Sequence, residues 1–509
     1  MSKRKSVGGV TYTAADSGYF EKRGLRRYAR VWSLWALGVG AVISGHYSGW
    51  NLGLGAGFGG MMIALLLIAA MYWGLIFCLA EMSPALPHTG GAYSFARSAM
   101  GPWGGMITGL AESIEYLLTP AVIVFFISSY MSAIFGTSTV WLPLWWAGFY
   151  AAFLLLNLRG VELSFQVSVV VTLAALAVLA VYWVSALPHA DPARWALNIG
   201  VAPDGSRMEL PDGHGPWLPF GLRGALGALP FAVWLFLAIE QLPLAAEEAF
   251  DPKRDMPRGL IYGMGTLMFS AVMTTVLNAS VGSADAGAMR GAFSLASSGE
   301  PLLDGFRVLY GSGPARVLAL VAVIGLVASF HTIIFAYGRQ IYSLSRAGYY
   351  LRFMSLTHGR HKVPHMALCS GTGIGFAIML AVWFLAGAEK GADVIGGTLL
   401  NMAVFGAMIS YAMQGLSFIL LRWKRPDIER PYRSPLGIPG AVLTILIAAL
   451  TLSFQLRDPV YRLGVAAAAV WYALGLLYFA MIGRHQLVLS PEEEFALSRE
   501  SLNAPKEGA

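Results

Sequence analysis

The chain has 509 residues, of which 56% are hydrophobic and 12% charged. A soluble globular domain carries about a quarter charged residues, so this balance excludes that class and predicts a polytopic membrane protein. The formal net charge of +7 does not indicate a nucleic-acid partner, because the positive residues cluster in short segments between apolar stretches, as the positive-inside rule expects.

The chain opens on "MSKRKSVGGVTYTAADSGYFEKRGLRRYAR", residues 1–30, polar and basic without an apolar run. It reads as a cytoplasmic tail and not as a signal peptide. A helix needs about 20 mainly apolar residues to cross a bilayer. Such segments lie at 31–56, 59–83, 103–134, 140–157, 163–187, 224–248, 258–282, 314–344, 366–387, 394–421, 439–456 and 462–482. They predict an all-α integral membrane protein with about 12 transmembrane helices, apolar on all faces and buried in lipid or in one another. "DPKRDMPR", "SRAGYYLRFMSLTHGRHK" and "LRWKRPDIERPYR" fall on the same side as the N-terminal tail, and that side is expected to be cytoplasmic. The connection 188–223 then lies outside, residues 422–482 hold a basic loop and helices 11 and 12, and 483–509 form a cytoplasmic tail whose last part, "SPEEEFALSRESLNAPKEGA", is expected to be mixed-charge and disordered. Cys78 and Cys369 both sit in apolar spans, which predicts neither a zinc site nor a disulfide-linked partner subunit.

The first span is interrupted by "ISGHYSG" at 43–49, and the sixth by Glu240, Gln241 and Pro243. These are the first members of two five-helix halves, 31–187 and 224–421. Paired broken helices at matching places point to a secondary transporter built from inverted repeats. Backbone at mid-membrane leaves the helix only where it lines a cavity or is buried in protein, and Gly45 and Gly49 permit the unwinding. A glycine-rich packing notch is the alternative, though His46 and Tyr47 are too large for one.

"LAEMSPALPHTGGAYSFARSAMGPWGG" at 79–105 resembles the second-to-third-span signature of the amino acid–polyamine–organocation permeases. "FAVWLFLAIEQLPLAAEEAFDPKRDMPRGLI" resembles their sixth-span signature, and "IFAYGRQIYSLSRAGYYL" and "RWKRPDIERPYRSPLG" their eighth and tenth. Within that superfamily, "ISGHYSGWNLGLGAGFGG" and "GLAESIEYLLTP" are most similar to the ethanolamine permease branch. The resemblance implies a leucine-transporter fold with 5+5 inverted repeats, alternating access, and a site where spans 1, 3, 6, 8 and 10 meet. By the same resemblance to the arginine/agmatine antiporter type, the span-one loop falls on Ser44, Gly45 and His46, with histidine in place of the third glycine. The aromatic gate falls on Trp234 relative to Glu240, and the span-three positions on Glu112, Glu115 and Tyr116, where the family usually has neutral residues.

Ionisable residues inside a membrane span are costly and signal function by default. Glu112 and Glu115 lie three apart on one helical face. With aromatics such as Trp234, Phe236 and Tyr116 they suit a small ammonium substrate. The substrate-binding candidates are therefore Ser44, Gly45, His46, Tyr47, Glu112, Glu115, Tyr116, Trp234, Phe236, Glu240 and Asn401. Glu240 could meet the substrate, take a coupling proton, or cap freed N–H groups. His46 and His331 are further proton-coupling candidates, and His331 reads equally well as a core histidine. Glu247 and Glu248 are expected to pair with arginines or lysines of the cytoplasmic loops.

Gly55, Gly57 and Gly60 satisfy G-x-G-x-x-G but follow a membrane helix, so a dinucleotide site fails on context. No cofactor spacing, Ser–His–Asp pattern or metal-ligand spacing stands out, which leaves a membrane enzyme a distant alternative class, and a channel another, without a repeated charged ring or carbonyl filter. The expected function is import of a small amine, ethanolamine first, across the plasma membrane by proton-coupled alternating access. A cationic amino acid or polyamine permease is the alternative. Sodium coupling through Ser329 and Thr332, or plain exchange, stays open.

Overall fold

The computed structural model describes residues 4–7, 9–13, 17–197, 215–283, 291–387, 394–457, 462–490, 493, 494 and 497. Among these, ten helices are long and apolar enough to cross a membrane. They are span 2 (Phe58–Ala85), span 3 (Gly91–Phe135), span 4 (Thr139–Leu158), span 5 (Val161–His189) and span 7 (Pro252–Ala279). Span 8 (Leu320–Arg346), span 9 (His365–Leu385), span 10 (Gly396–Lys424), span 11 (Gly437–Arg457) and span 12 (Arg462–His485) complete the ten. The two expected spans missing from that set are the broken ones. Each opens one five-helix half, the leucine-transporter arrangement expected above.

Span 1 is α-helical over Val31–Val42, tightens to a 3-10 turn over Ile43–His46, and resumes as 3-10 helix over Trp50–Ala56. Span 6 comprises Gly221–Gly227, Leu229–Val233 and a 3-10 stretch Ile239–Glu248. Its break lies at 234–238, ahead of the Glu240–Pro243 stretch that the sequence marked. The chain turns there through Ala238, held at φ 83°. A left-handed conformation costs a non-glycine residue roughly 1–2 kcal/mol, so the surrounding packing imposes this turn. Pro243 sits inside the 3-10 stretch without opening the chain.

Span 3 is two helices in one line. Gly101, at φ 80° and ψ −174°, separates a short leading helix from the long membrane segment. Span 3 packs along span 10, where a Cβ on Gly406 would stand 2.7 Å from the Ala111 carbonyl oxygen. Only a residue without a side chain lets the two backbones approach so closely.

The two tails are ordered where they are described. Strand β1 (Arg4–Val7) pairs antiparallel with β2 (Val10–Thr13), and β3 (Leu487–Val488) adds parallel to β2. Glu493 is buried against Arg97 at 2.6 Å, and its carboxylate accepts from Tyr12 Oη at 2.9 Å and Tyr349 Oη at 3.1 Å. Burial, reinforced by Glu493, pushes both phenols far above their ordinary range, so they stay protonated as donors. The disorder expected over 490–509 is thus corrected at its start, because a buried arginine at the foot of span 3 recruits Glu493 from it. Residues 498–509 and the middle of the 188–223 connection, 198–214, lie outside the described residues.

Candidate substrate site at the broken spans

Two unwound segments face each other. A Cβ on Gly45 would lie 2.1 Å from the Trp234 carbonyl oxygen, and one on Gly49 2.7 Å from Trp234 Nε1. Gly49 carries the left-handed turn at φ 94°. Gly45 keeps ordinary dihedrals and serves close approach, so the two glycines divide the work expected of both. Trp234 is 3% exposed, and its Nε1 has no hydrogen-bond partner.

Beside this contact lie three buried carboxyl groups. Tyr116 Oη donates to Glu240 Oε1 at 3.2 Å, and Tyr411 Oη to Glu115 Oε1 at 3.1 Å. Tyr72 and Tyr411 share a hydroxyl contact at 3.0 Å, and the Phe236 ring sits 5.4 Å from that of Tyr72. The Glu115 and Glu240 side chains are within hydrogen-bonding reach of each other. Glu112 accepts from the backbone N–H groups of Ala92 and Tyr93, at the start of the leading helix of span 3. The Oε2 atom of each of the three meets no donor. No lysine or arginine is hydrogen-bonded or ion-paired to any of them among the described residues. Two touching carboxyl groups repel unless a proton or a cation lies between them.

Of the sequence candidates, Glu115, Glu240, Tyr116 and Phe236 come together around this centre, and Trp234 and Gly45 close the adjoining break. Glu112 is half committed to capping a helix. His46 is fully buried on the span-one turn, with both ring nitrogens unpartnered and no carboxylate facing it. The Ser44 N–H donates to Ser329 Oγ at 2.8 Å, and Ser329 donates on to the Gly40 carbonyl at 2.7 Å. The Tyr47 side chain turns away toward spans 5 and 8. Its hydroxyl donates to the Ala175 carbonyl at 2.7 Å, and its ring lies where a Cβ on Gly325 would be. His331 is satisfied between Asn157 Nδ2 at 3.1 Å and the Ser164 carbonyl at 3.0 Å, as a core histidine would be. Asn401 donates to the Gly397 carbonyl of its own span. Thr332 bonds within its own helix, and no group of three or more metal-ligating side chains occurs among the described residues.

Sequence reasoning missed Tyr411, whose hydroxyl donates to Glu115, and Tyr72, whose hydroxyl meets that of Tyr411. The available signal was a tyrosine in each of two otherwise apolar spans, together with Gly406, which brings span 10 close enough for Tyr411 to reach span 3.

A family model described as amino acid permease matches residues 30–482. The methylthioribose transporter of Bacillus subtilis (strain 168) is 23% identical, over 93% of this chain and 97% of its own length. The branched-chain amino acid permease BcaP of the same organism is also 23% identical, over 95% and 97%. The b(0,+)-type amino acid transporter 1 of Mus musculus is 24% identical, over 79% of this chain and 77% of its own. With ten apolar helices among the described residues, two broken spans and a buried carboxyl centre, the chain is a multi-pass membrane transporter and belongs to the amino acid permease family.

Proposed function

We propose that the protein imports a small amine, ethanolamine first, by alternating access with proton coupling across the plasma membrane, both termini facing the cytoplasm. The observation that carries this reading is the carboxyl centre of Glu115 and Glu240, buried and without a protein cation among the described residues. Such a centre holds a proton when empty, or a cation arriving from elsewhere when loaded. An ammonium group supplies that cation, and the aromatic faces of Trp234, Phe236 and Tyr116 add cation–π attraction. In this reading Glu115 is the substrate's counter-charge and Glu240 carries the proton. His46 and the main chain of the 44–47 turn meet the hydroxyl end. The Ser44 N–H is already taken by Ser329, which leaves one amide fewer for a substrate carboxylate. That favours an amine over an amino acid.

The test is uptake of labelled ethanolamine into proteoliposomes under imposed pH, sodium and voltage gradients. Accumulation driven by an inward proton gradient is expected. Glu240→Gln should keep counterflow exchange and lose proton-driven accumulation. Accumulation that follows sodium, or is unchanged in Glu240→Gln, overturns the coupling assignment. The names of the relatives favour a second reading, an amino acid substrate. Stronger competition by arginine, leucine or putrescine than by ethanolamine would establish that reading in place of the first. Labelling of cysteines placed at exposed His189 and Arg360 tests orientation: the first should react from outside intact cells and the second should not.

A further inference from the structure

The ends of spans 1 and 7 that lie on the side of the basic connections border an open cleft of about 580 Å³, in the range of small-molecule sites. Arg30, Arg254 and Arg258 line it. Arg30 is the residue before span 1, held extended at φ −122°. Arg254 and Arg258 stand one turn apart at the start of span 7. Among the described residues none of the three guanidinium groups is within ion-pair distance of a carboxylate, although the buried Asp255 attracts all three across the cavity and Asp251 also lines it. Asp251 is spent on capping span 7, where it accepts from the Arg254 N–H. The positive end of the span 7 helix dipole points the same way. Three guanidinium groups from two elements against two carboxylates leave the lining net positive, and Arg–phosphate pairing is the strongest use of that geometry.

The rest of the lining says where the anion comes from. Trp32 is 66% exposed and Tyr262 48%, with ring centroids 6.3 Å apart. Phe250 is 51% exposed, with the Arg30 guanidinium 5.4 Å over its ring. Exposed aromatic rings at the end of membrane spans mark the headgroup level of a bilayer, and basic pockets between helices there take lipid phosphates. We infer that this cavity binds the phosphate headgroup of a phospholipid from the leaflet on the basic side.

The position gives such a lipid leverage. Ala29 N–H donates to the Glu248 carbonyl at 2.9 Å, and Phe250 N–H to the Ala29 carbonyl at 3.0 Å. The chain entering span 1 is thus zipped to the chain leaving span 6 beside the cavity. A phosphate held by Arg30 from one side and by Arg254 and Arg258 from the other would brace that zipper at the base of both broken spans.

The experiment uses the full-length protein, delipidated in detergent, read by thermal shift and by native mass spectrometry. The probes are phosphatidylglycerol, phosphatidylethanolamine, diacylglycerol and glycerol phosphate. Both phospholipids are expected to raise the unfolding temperature and remain bound, whereas diacylglycerol should not. The double variant R254Q/R258Q should weaken phospholipid retention about tenfold or more. R30Q, which changes one exposed side chain outside the helices, provides the same reading if the double variant does not fold. Full stabilisation by glycerol phosphate at equal concentration would make this a free-phosphate site and overturn the lipid assignment. Wild-type retention in a folded arginine variant, or equal retention of diacylglycerol, would also overturn it.

Discussion

Buried carboxylates occur in two regions of this molecule, and they are treated in opposite ways. Toward the basic end Glu81, Glu248 and Glu493, and the half-buried Glu247, are each paired with an arginine. Glu81 is held by Arg422 at 2.6 Å and Arg430 at 3.2 Å, and accepts the Ser434 N–H at 2.8 Å. Glu248 meets Arg339 at 2.9 Å, Glu247 meets Arg346 at 2.6 Å, and Glu493 meets Arg97 at 2.6 Å. In the carboxyl centre Glu112, Glu115 and Glu240 have tyrosine hydroxyls, backbone amides and one another. Removing a carboxylate from water costs several kcal/mol unless a counter-charge is present. The first group meets that cost inside the protein and so holds helices together. The second group has no such cation, so a proton must neutralise it when empty, which leaves room for a charge arriving with the cargo.

The comparison can be broken by exchanging partners. Arg339→Gln leaves Glu248 buried without its cation, and breaking a buried pair costs about 3–5 kcal/mol. We expect a large drop in unfolding temperature of the purified protein, partly recovered in Glu248→Gln/Arg339→Gln, with no selective effect on substrate. Next comes Glu115→Gln, which keeps size and hydrogen bonding but removes the counter-charge. Loss of one partner of a buried charge pair costs about 2–5 kcal/mol, or roughly 30- to several-thousand-fold in affinity. Calorimetric titration of ethanolamine should show that loss while thermal stability holds. If Glu115→Gln instead lowers stability and leaves affinity alone, the central acids are structural like the others.

Smaller effects sharpen the contrast. Trp234→Leu removes a ring from the junction of the two breaks, where a desolvated cation–π contact is worth about 1–2 kcal/mol. Uptake affinity should fall roughly five- to thirtyfold, more than for Trp183→Leu, whose indole donates to Thr274 Oγ1 in span 7. Equal losses would reduce Trp234 to packing. At the bottom of the series, Lys253 pairs with Glu429 at 2.9 Å, but the two side chains are 56% and 75% exposed. Lys253→Ala should change stability by less than about 1 kcal/mol, because water already solvates both charges. A larger change there would mean that pairing, and not burial, sets these energies.

The pattern of apolar length, basic connections and two interrupted spans was sufficient in the sequence to specify a twelve-span transporter in two halves. Those features depend on transfer of whole segments into lipid, which composition reports directly. The three central glutamates were legible for the same reason, as charges where lipid allows none. Contacts between distant segments were not legible. The break in span 6 precedes Glu240 because Trp234 must lie against Gly45, a condition set by another helix. Tyr47 turns outward because Gly325 of span 8 leaves room for its ring. The partners of Glu247 and Glu248 lie on span 8 and not in the loops, and the C-terminal segment folds back to supply Glu493 to Arg97. Each of these is a choice of neighbour across more than 80 residues of chain. Sequence sets the cost of leaving a charge or a backbone group unpaired; only the packed helices decide which partner meets it.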